Sequence, residues 1–429
     1  MLLQKPNKYW DSYKGLPREN EFIVLLKYLC DKQPVNDKRI LEDLRKTCMD
    51  IKQIEHYLIK AVNENILRVI DECIVCENCA EEISLNELKD IIPCKHLEDI
   101  IGKKVRCIYC NEEFIVIEEH IRRYYAITFK GLDFCKKLNL GLKITEMKLL
   151  EYISDRTRKR QEKLGTAELL KNYYFIIVLH FLRDLIPLTK KFIELGAVPH
   201  KMYFICKPYP YAFKDKIRAV LKSEGCHVYV APTIDALEKY VRTALEKIKQ
   251  NVKRSKEKFI IVEDGGYVVP CLHEEFPELI NYCKGAVEQT TKGIRRDRKI
   301  SNIRIPILSV AECDFKRKYE PRFIGDAVVR NIQNMLPDKR FEGRICVLIG
   351  YGTIGSEIAQ RLREALRMIV YVVERNPERR DEARKQNFQV FNTVMECLER
   401  AECKDKCSLI IGVTGETSIG KREIAKLPH

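Results

Sequence analysis

The feature that most restricts this chain is an apolar run that passes directly into a glycine turn and a helical pattern. Residues Ile345-Cys-Val-Leu-Ile are followed by Gly350-Tyr-Gly352-Thr353-Ile354-Gly355, and the helical spacing Ser356 to Met368 follows the last glycine. In that order the first glycine permits a tight turn, the second lets a pyrophosphate approach the backbone, and the third lets helix and strand touch. The amides at the helix start favour the phosphate charge. The next apolar run, Met368-Ile-Val-Tyr-Val-Val, ends in Glu374, 19 residues after Gly355, where a carboxylate can accept both ribose hydroxyls. The expected ligand is a dinucleotide, NAD rather than NADP, although Arg375 beside Glu374 would suit a 2′-phosphate.

From about residue 165 the chain alternates helical patterns with short apolar strands. The spacing predicts a helix over 166–195 and strands near 202–206, 227–231, 259–263, 305–310, 345–349, 369–374 and 408–413. Helices between buried strands imply parallel sheets with helical crossovers. No apolar run reaches the roughly 18 residues of a bilayer crossing, and the polar stretch Met1 to Asn20 lacks a small-residue cleavage site, so a cytoplasmic protein without a membrane partner is expected. The 77 Lys and Arg against 62 Asp and Glu leave a charge of +15, which favours polyanions. It is carried in mixed-sign stretches such as Arg156-Thr-Arg-Lys-Arg-Gln-Glu and Arg295-Arg-Asp-Arg-Lys, which are also the pattern of a solvated face.

Nine of the 18 cysteines precede residue 140, which marks a separate N-terminal region. Residues 20–30, 38–47 and 50–64 have helical spacing, with Asp50 available as a cap. The run Ile66 to Val75 reads as extended, and the segment from Tyr124 passes from strand into helix. Three helices with a returning β element resemble a winged helix. If helix 50–64 reads a groove, Lys52, His56 and Lys60 face phosphates or bases; a plain solvated face fits the same pattern, so residues 1–140 offer a DNA or a protein partner. Cys76-x2-Cys79 and Cys107-x2-Cys110 are two knuckles that complete a four-thiolate structural zinc site, with an inserted helix near Leu85 to Ile92 between them. Cys73, Cys94 and His96 compete as ligands, so the register stays open at this point.

Five blocks in order resemble the adenosylhomocysteinases over roughly 165–429. They are Val262-Glu-Asp-Gly-Gly-Tyr with His273, Gly285-Ala-Val-Glu-Gln-Thr-Thr-Lys-Gly, Phe315-Lys-Arg-Lys-Tyr-Glu with Gly325, the glycine turn, and Gly412-Val-Thr414-Gly415. That family binds NAD, oxidises the ribose 3′-hydroxyl of S-adenosylhomocysteine, eliminates homocysteine, adds water and reduces the product to adenosine. The resemblance places Lys316 at the proton-handling lysine, Asp264 at a substrate-pocket aspartate, Glu320 at an acidic neighbour of the lysine, and His180 at a substrate-binding histidine. It gives Thr290, Thr291, Thr414 and Gly415 to cofactor contacts and implies a homo-oligomer. Departures are equally specific. Gln289 stands where the family grips the ribose with a carboxylate, and an amide cannot take a proton; Pro321 replaces an asparagine, Lys292 a threonine, and Leu182 and Leu185 two more threonines. After Thr414-Gly415 the sequence reaches Lys426-Leu-Pro-His429, the lead-in to a further strand, so a shortened relative or a fragment is expected.

The sequence therefore predicts an α/β protein. A small α+β winged-helix-like zinc domain (1–140, with its cysteine-rich zinc-ribbon-like insertion at about 73–112) and a connector (141–164) precede an α/β substrate-type domain (165–335) and a Rossmann-type dinucleotide-binding domain (336–429, incomplete). Two functions fit. One is an NAD-binding hydrolase of S-adenosylhomocysteine or another adenosine derivative with an altered pocket; the other is a catalytically weakened nucleotide sensor whose zinc-bearing module contacts DNA or protein.

Overall fold

The computed structural model describes residues 20–46, 49–89, 92, 94, 96–137, 146–165, 168–415 and 417–425. The N-terminal stretch before residue 20, residues 141–145 of the expected connector and the closing segment 426–429 lie outside the described residues. The chain divides into two compact units, Met1–Ala286 with Asn302–Pro306, and Val287–Ser301 with Ile307–His429.

The first unit opens with α1 (Asn20–Lys32), β1 (Val35–Asn36), α2 (Asp37–Arg45) and α3 (Ile51–Asn63). Asn36 starts α2 by accepting the Arg39 amide, satisfying a donor that has no partner inside the helix. Asp50 occupies the same position before α3 without a side-chain bond. Ile54, Tyr57, Leu58 and Ala61 are buried on one side of α3, the stripe expected of a helix lying on a core. Strands β2 (Leu67–Val75), β3 (Glu82–Ser84) and β6 (Ile121–Ile127) join β1 in an antiparallel sheet of order β1-β6-β2-β3. Between β3 and β6 lie α4 (Leu85–Lys89) and the ribbon of β4 (Lys104–Arg106) with β5 (Glu113–Ile115). After β6 come α5 (Phe129–Lys137) and α6 (Lys148–Leu164), the latter ended by Gly165 in the left-handed conformation.

The parallel core of the next sheet is β7 (Tyr173–Leu179), β8 (Met202–Cys206), β9 (His227–Val230) and β10 (Lys258–Glu263). With β11 (Cys283–Glu288) and β12 (Ile307–Ser309) its order is β12-β11-β10-β7-β8-β9. The crossovers are α7 (Leu185–Glu194), α8 (Lys214–Ser223), α9 (Ile234–Ser255) and α10 (Val268–Glu275). The helix expected over 166–195 is corrected: Tyr173–Leu179 is a strand, and helix begins only at Leu185. Seven apolar residues rich in β-branched and aromatic side chains, nearly all buried, suit a strand covered on both faces better than a helix with one apolar stripe.

The N-terminal module shares its core with this sheet. Phe22, Leu25, Leu58 and Leu67 belong to the same buried cluster as Phe175, Phe204, Val220 and Leu221. Ser223 Oγ donates to the Ile127 carbonyl at 2.9 Å, and Lys222 pairs with Asp71 at 2.6 Å, so α8 lies against β2 and β6.

In the second unit α11 (Thr291–Asp297), α12 (Asp314–Lys318) and α13 (Glu320–Met335) precede a sheet of order β15-β14-β13-β16. Its strands β13 (Ile345–Ile349), β14 (Ile369–Val373), β15 (Gln389–Phe391) and β16 (Cys407–Gly412) are all parallel. They alternate with α14 (Thr353–Leu366), α15 (Pro377–Lys385), α16 (Val394–Leu398) and α17 (Ala401–Lys406), and α18 (Lys421–Ile424) follows. Both units thus contain the parallel α/β architecture that the strand pattern implies.

Candidate functional site

In an open parallel sheet a ligand enters outside the carboxyl ends of the strands, where successive connections leave to opposite sides. The strand orders place that point between β7 and β10 in one sheet, and between β13 and β16 in the other.

In the second unit the crevice is formed by backbone. Gly350 has φ +102°, and a Cβ there would come 3.2 Å from the Val413 backbone at the end of β16. A Cβ on Gly355 would lie 2.1 Å from the Gly350 carbonyl oxygen, so the third glycine is required by the approach of α14 to the turn. Gly352 is different, because the nearest atom to a Cβ there is Arg379 Nη1 at 3.6 Å; its smallness leaves room for a ligand. Thr353 and Ile354 are exposed at the start of α14. Glu374 directly follows β14 and is almost buried, accepting the Tyr351 amide at 2.7 Å and the Asn376 amide at 2.8 Å. Burial works to raise its pKa, but these amides and the charge of Arg379 prevail and hold the carboxyl below its ordinary value. Arg375 is exposed beside it. Across the crevice Thr414 Oγ1 is 2.9 Å from Ser418 Oγ, and Gly415 turns with φ +75°.

The same unit brings Gln289, Lys316 and Glu320 together. Lys316 Nζ donates to the Gln289 carbonyl at 2.7 Å and lies 3.6 Å from the Glu320 carboxylate. Thr290 is occupied by local structure: its hydroxyl donates to Glu288 at 2.6 Å and accepts the Gly293 amide at 3.0 Å, capping α11, while Thr291 is exposed. Pro321 stands in the first turn of α13, where a missing N–H costs nothing.

In the first unit the crevice is formed by side chains from three strand ends. His180 follows β7, Lys207 follows β8 and Asp264 follows β10. Asp264 accepts from Lys207 Nζ at 2.7 Å on one oxygen and lies 3.0 Å from His180 Nε2 on the other. His180 Nδ1 meets the Tyr211 hydroxyl, and the Tyr209 ring stacks on the imidazole at 5.6 Å. Burial alone would raise the Asp264 pKa; His180 and Lys207 reverse that, so it stays below the ordinary aspartate value. The preceding Glu263 is fully buried and accepts the amides of Tyr267, Val268 and Val269, which places a negative charge at the start of α10. Of the paired acids in this motif, Glu263 holds the turn and Asp264 faces the crevice. Sequence reasoning missed Lys207, Tyr209 and Tyr211; the signal was the segment Lys207-Pro-Tyr-Pro-Tyr directly after a buried strand.

Four of the candidate cysteines cluster in space. The thiols of Cys76, Cys79, Cys107 and Cys110 all lie within 4.8 Å of one another, while Cys73, Cys94 and His96 are outside the cluster. Cys76–Cys110 and Cys79–Cys107 are each 3.7 Å apart, against about 3.8 Å for sulfurs at the corners of a zinc tetrahedron. The two knuckles fold alike: Ala80 and Asn111 both have positive φ, and their amides return to the carbonyls of Cys76 and Cys107. Burial opposes ionisation of Cys107, yet the amides of Cys110 and Tyr109 bring it down to about 7. Cys73 is pushed up to about 12 by burial and Glu82, and Cys79 of the cluster is raised to about 12 as well, so position rather than ionisation separates the two.

The TrkA-N domain family matches residues 346–419, from within β13 to the segment after β16. The S-inosyl-L-homocysteine hydrolase of Methanopyrus kandleri is 32% identical over 191 residues, covering 42% of this chain and 42% of that one. The adenosylhomocysteinase of Aquifex aeolicus is 26% identical over 273 residues, covering 62% of this chain and 60% of that one. The chain spans about half the length of the curated relatives it matches. The solved dipicolinate synthase chain of Bacillus halodurans superposes on 61% of this chain and 80% of its own at 13% identity, with a TM-score of 0.34, too loose a fit to define a fold. The blocks quoted from the sequence and these relatives lead to one conclusion: the chain is adenosylhomocysteinase-like over about half of its length.

Proposed function

We propose that the chain binds NAD in the second-unit crevice and acts on, or binds, S-adenosylhomocysteine or a related adenosine or inosine derivative through a divergent substrate site. The observation that carries this reading is the glycine turn: Gly350 and Gly355 are fixed by close contacts while Gly352 stays open, beside a carboxylate suited to the ribose. NAD when bound supplies the hydride acceptor. The chain supplies Lys316, held by the Gln289 carbonyl and near Glu320, as the proton-handling group of its unit. Asp264 and His180 supply the polar framework of the first-unit crevice. Gln289 can hydrogen-bond to a ribose hydroxyl but not accept its proton, which reduces the family's own turnover.

The four thiols fit structural zinc in number and spacing, and four thiolates leave no open position for water, so the metal's role is folding. A second reading, a nucleotide-sensing regulator whose zinc-bearing winged-helix module contacts DNA or protein, draws support from the continuous core joining that module to α8. Lys52 and His56 are exposed on α3 for such a partner. Self-association, usual among adenosylhomocysteinases, is proposed as well.

The test is to purify the full chain, denature it and identify released compounds by mass spectrometry, with zinc measured alongside. NAD or NADH near one per chain, and about one zinc, are expected. A folded preparation from which neither NAD nor an adenosine compound is released, and which does not bind added NAD, sinks the dinucleotide reading; metal-free protein with an ordered N-terminal module sinks the zinc reading.

A further inference from the structure

We propose that Lys207 is a positioning residue of the first-unit crevice: by pairing with the buried Asp264 it fixes the proton order Tyr211 to His180 to Asp264, leaving the Tyr211 oxygen as the acceptor for a ligand hydroxyl. The inference rests on reading this crevice as the substrate site.

The proton order follows from chemistry. A carboxylate only accepts, so the His180 nitrogen facing Asp264 at 3.0 Å, Nε2, carries a hydrogen. In neutral imidazole Nδ1 is then a lone pair, and the Tyr211 hydroxyl must donate to it. The phenolic oxygen, its own hydrogen committed, keeps acceptor capacity for a sugar hydroxyl, with the exposed Tyr209 ring alongside as an apolar face. All of this depends on Asp264 remaining an anion in a site where it is 7% exposed. That burial penalty is opposed first by the hydrogen bond from His180 and then by the Lys207 ammonium, which brings a full charge, is itself 6% exposed and lies 2.7 Å from Oδ1.

The charged and titratable groups facing Asp264 are His180 from the end of β7, and Lys207 and Tyr211 from the segment after β8. Buried Cys206 stays a thiol because burial pushes it up to about 11. Both Asp264 oxygens are therefore taken by the chain's own donors, and Asp264 works as a fixed anion rather than a free base. Proton exchange with a ligand falls to Tyr211 and His180.

The test uses the full chain with 15N-labelled histidine and long-range proton–nitrogen correlation, His180 being identified by its loss in His180→Gln. The Nε2–H pattern is expected in the wild type at pH 7. Removing the ammonium in Lys207→Met favours an added proton on the His180–Asp264 pair, so the pattern should give way at least one pH unit above the wild type, and Lys207→Arg should restore it. An Nδ1–H pattern in the wild type, or an unchanged pH range in Lys207→Met, overturns the inference. If Lys207→Met does not fold, Lys207→Met with Asp264→Asn removes both charges; a retained single Nε2–H tautomer in that variant overturns it as well. Calorimetry with adenosine is the second arm, with at least tenfold weaker binding in Lys207→Met at pH 6 and recovery in Lys207→Arg. Absence of adenosine binding in a wild type that shows the Nε2–H pattern counts against the substrate reading alone.

Discussion

The two crevices occupy the same topological position in two parallel sheets and are constructed by opposite means. In the second unit the walls are backbone: three glycines, the amides of α14 and a carboxylate tied to two loop amides. In the first unit the walls are side chains that satisfy one another, with Lys207 and His180 on Asp264 and Tyr211 on His180. A phosphate has the same shape in every ligand and can be met by fixed amides. A substrate differs between relatives, and side chains at separate strand ends can change one at a time while the sheet persists.

The largest effect that would break this comparison is expected at Asp264. Asp264→Ala leaves the Lys207 ammonium buried without its partner, a cost of about 3–5 kcal/mol, read as a large fall in the denaturant midpoint. Asp264→Ala with Lys207→Met should recover most of it; no recovery means the pair is not a unit. Gly355→Ala tests the other crevice. Its Cβ would meet the Gly350 carbonyl oxygen at 2.1 Å, a backbone atom that cannot rotate away, so a loss of about 1–3 kcal/mol is expected together with loss of NAD binding. Full stability in that variant would show that the turn is not held by helix contact.

The difference between the crevices also explains what was legible. Gly350, Gly352, Gly355 and Glu374 are close in sequence because one β-turn-α-β passage makes the site, and each glycine answers a constraint that acts within that passage. The knuckle pairs were legible for the same reason, although only geometry separated Cys76 from Cys73. Asp264 and Lys207 are 57 residues apart and meet only because β7 lies between β8 and β10, so the ion pair was invisible in sequence and Lys207 passed unnoticed. Tyr173–Leu179 reads as helix in sequence because burial on both faces removes the alternation that distinguishes a half-exposed strand.

A pH-dependent effect is expected at Asp297, in the second unit. Its carboxyl is 2% exposed, and neither oxygen has a hydrogen-bond partner among the described residues. Burial, then the neighbouring Glu288 charge, raises its pKa to about 7. An acid whose folded pKa is raised carries no penalty below its unfolded value and loses stability as pH climbs from there to about 7. Asp297→Asn should therefore leave the melting temperature unchanged near pH 4 and raise it at pH 8, by an amount corresponding to about 4 kcal/mol. Equal effects at both pH values would mean the group does not titrate in this range.

Gly352→Ala is the smallest change to the fold and the sharpest test of the comparison. Because its Cβ meets nothing nearer than Arg379 Nη1 at 3.6 Å, and a guanidinium at the end of a flexible side chain can shift, the melting temperature should move little, by the equivalent of about 0.5 kcal/mol. The added methyl nevertheless occupies the space through which a pyrophosphate reaches the backbone, so NAD affinity should fall at least tenfold while the first-unit crevice keeps its affinity for adenosine. Gly355→Ala loses stability and binding together, whereas Gly352→Ala should lose binding alone. That separation is what distinguishes a glycine kept for a ligand from one kept for packing, and equal NAD affinity in Gly352→Ala and wild type would place the nucleotide somewhere other than this turn.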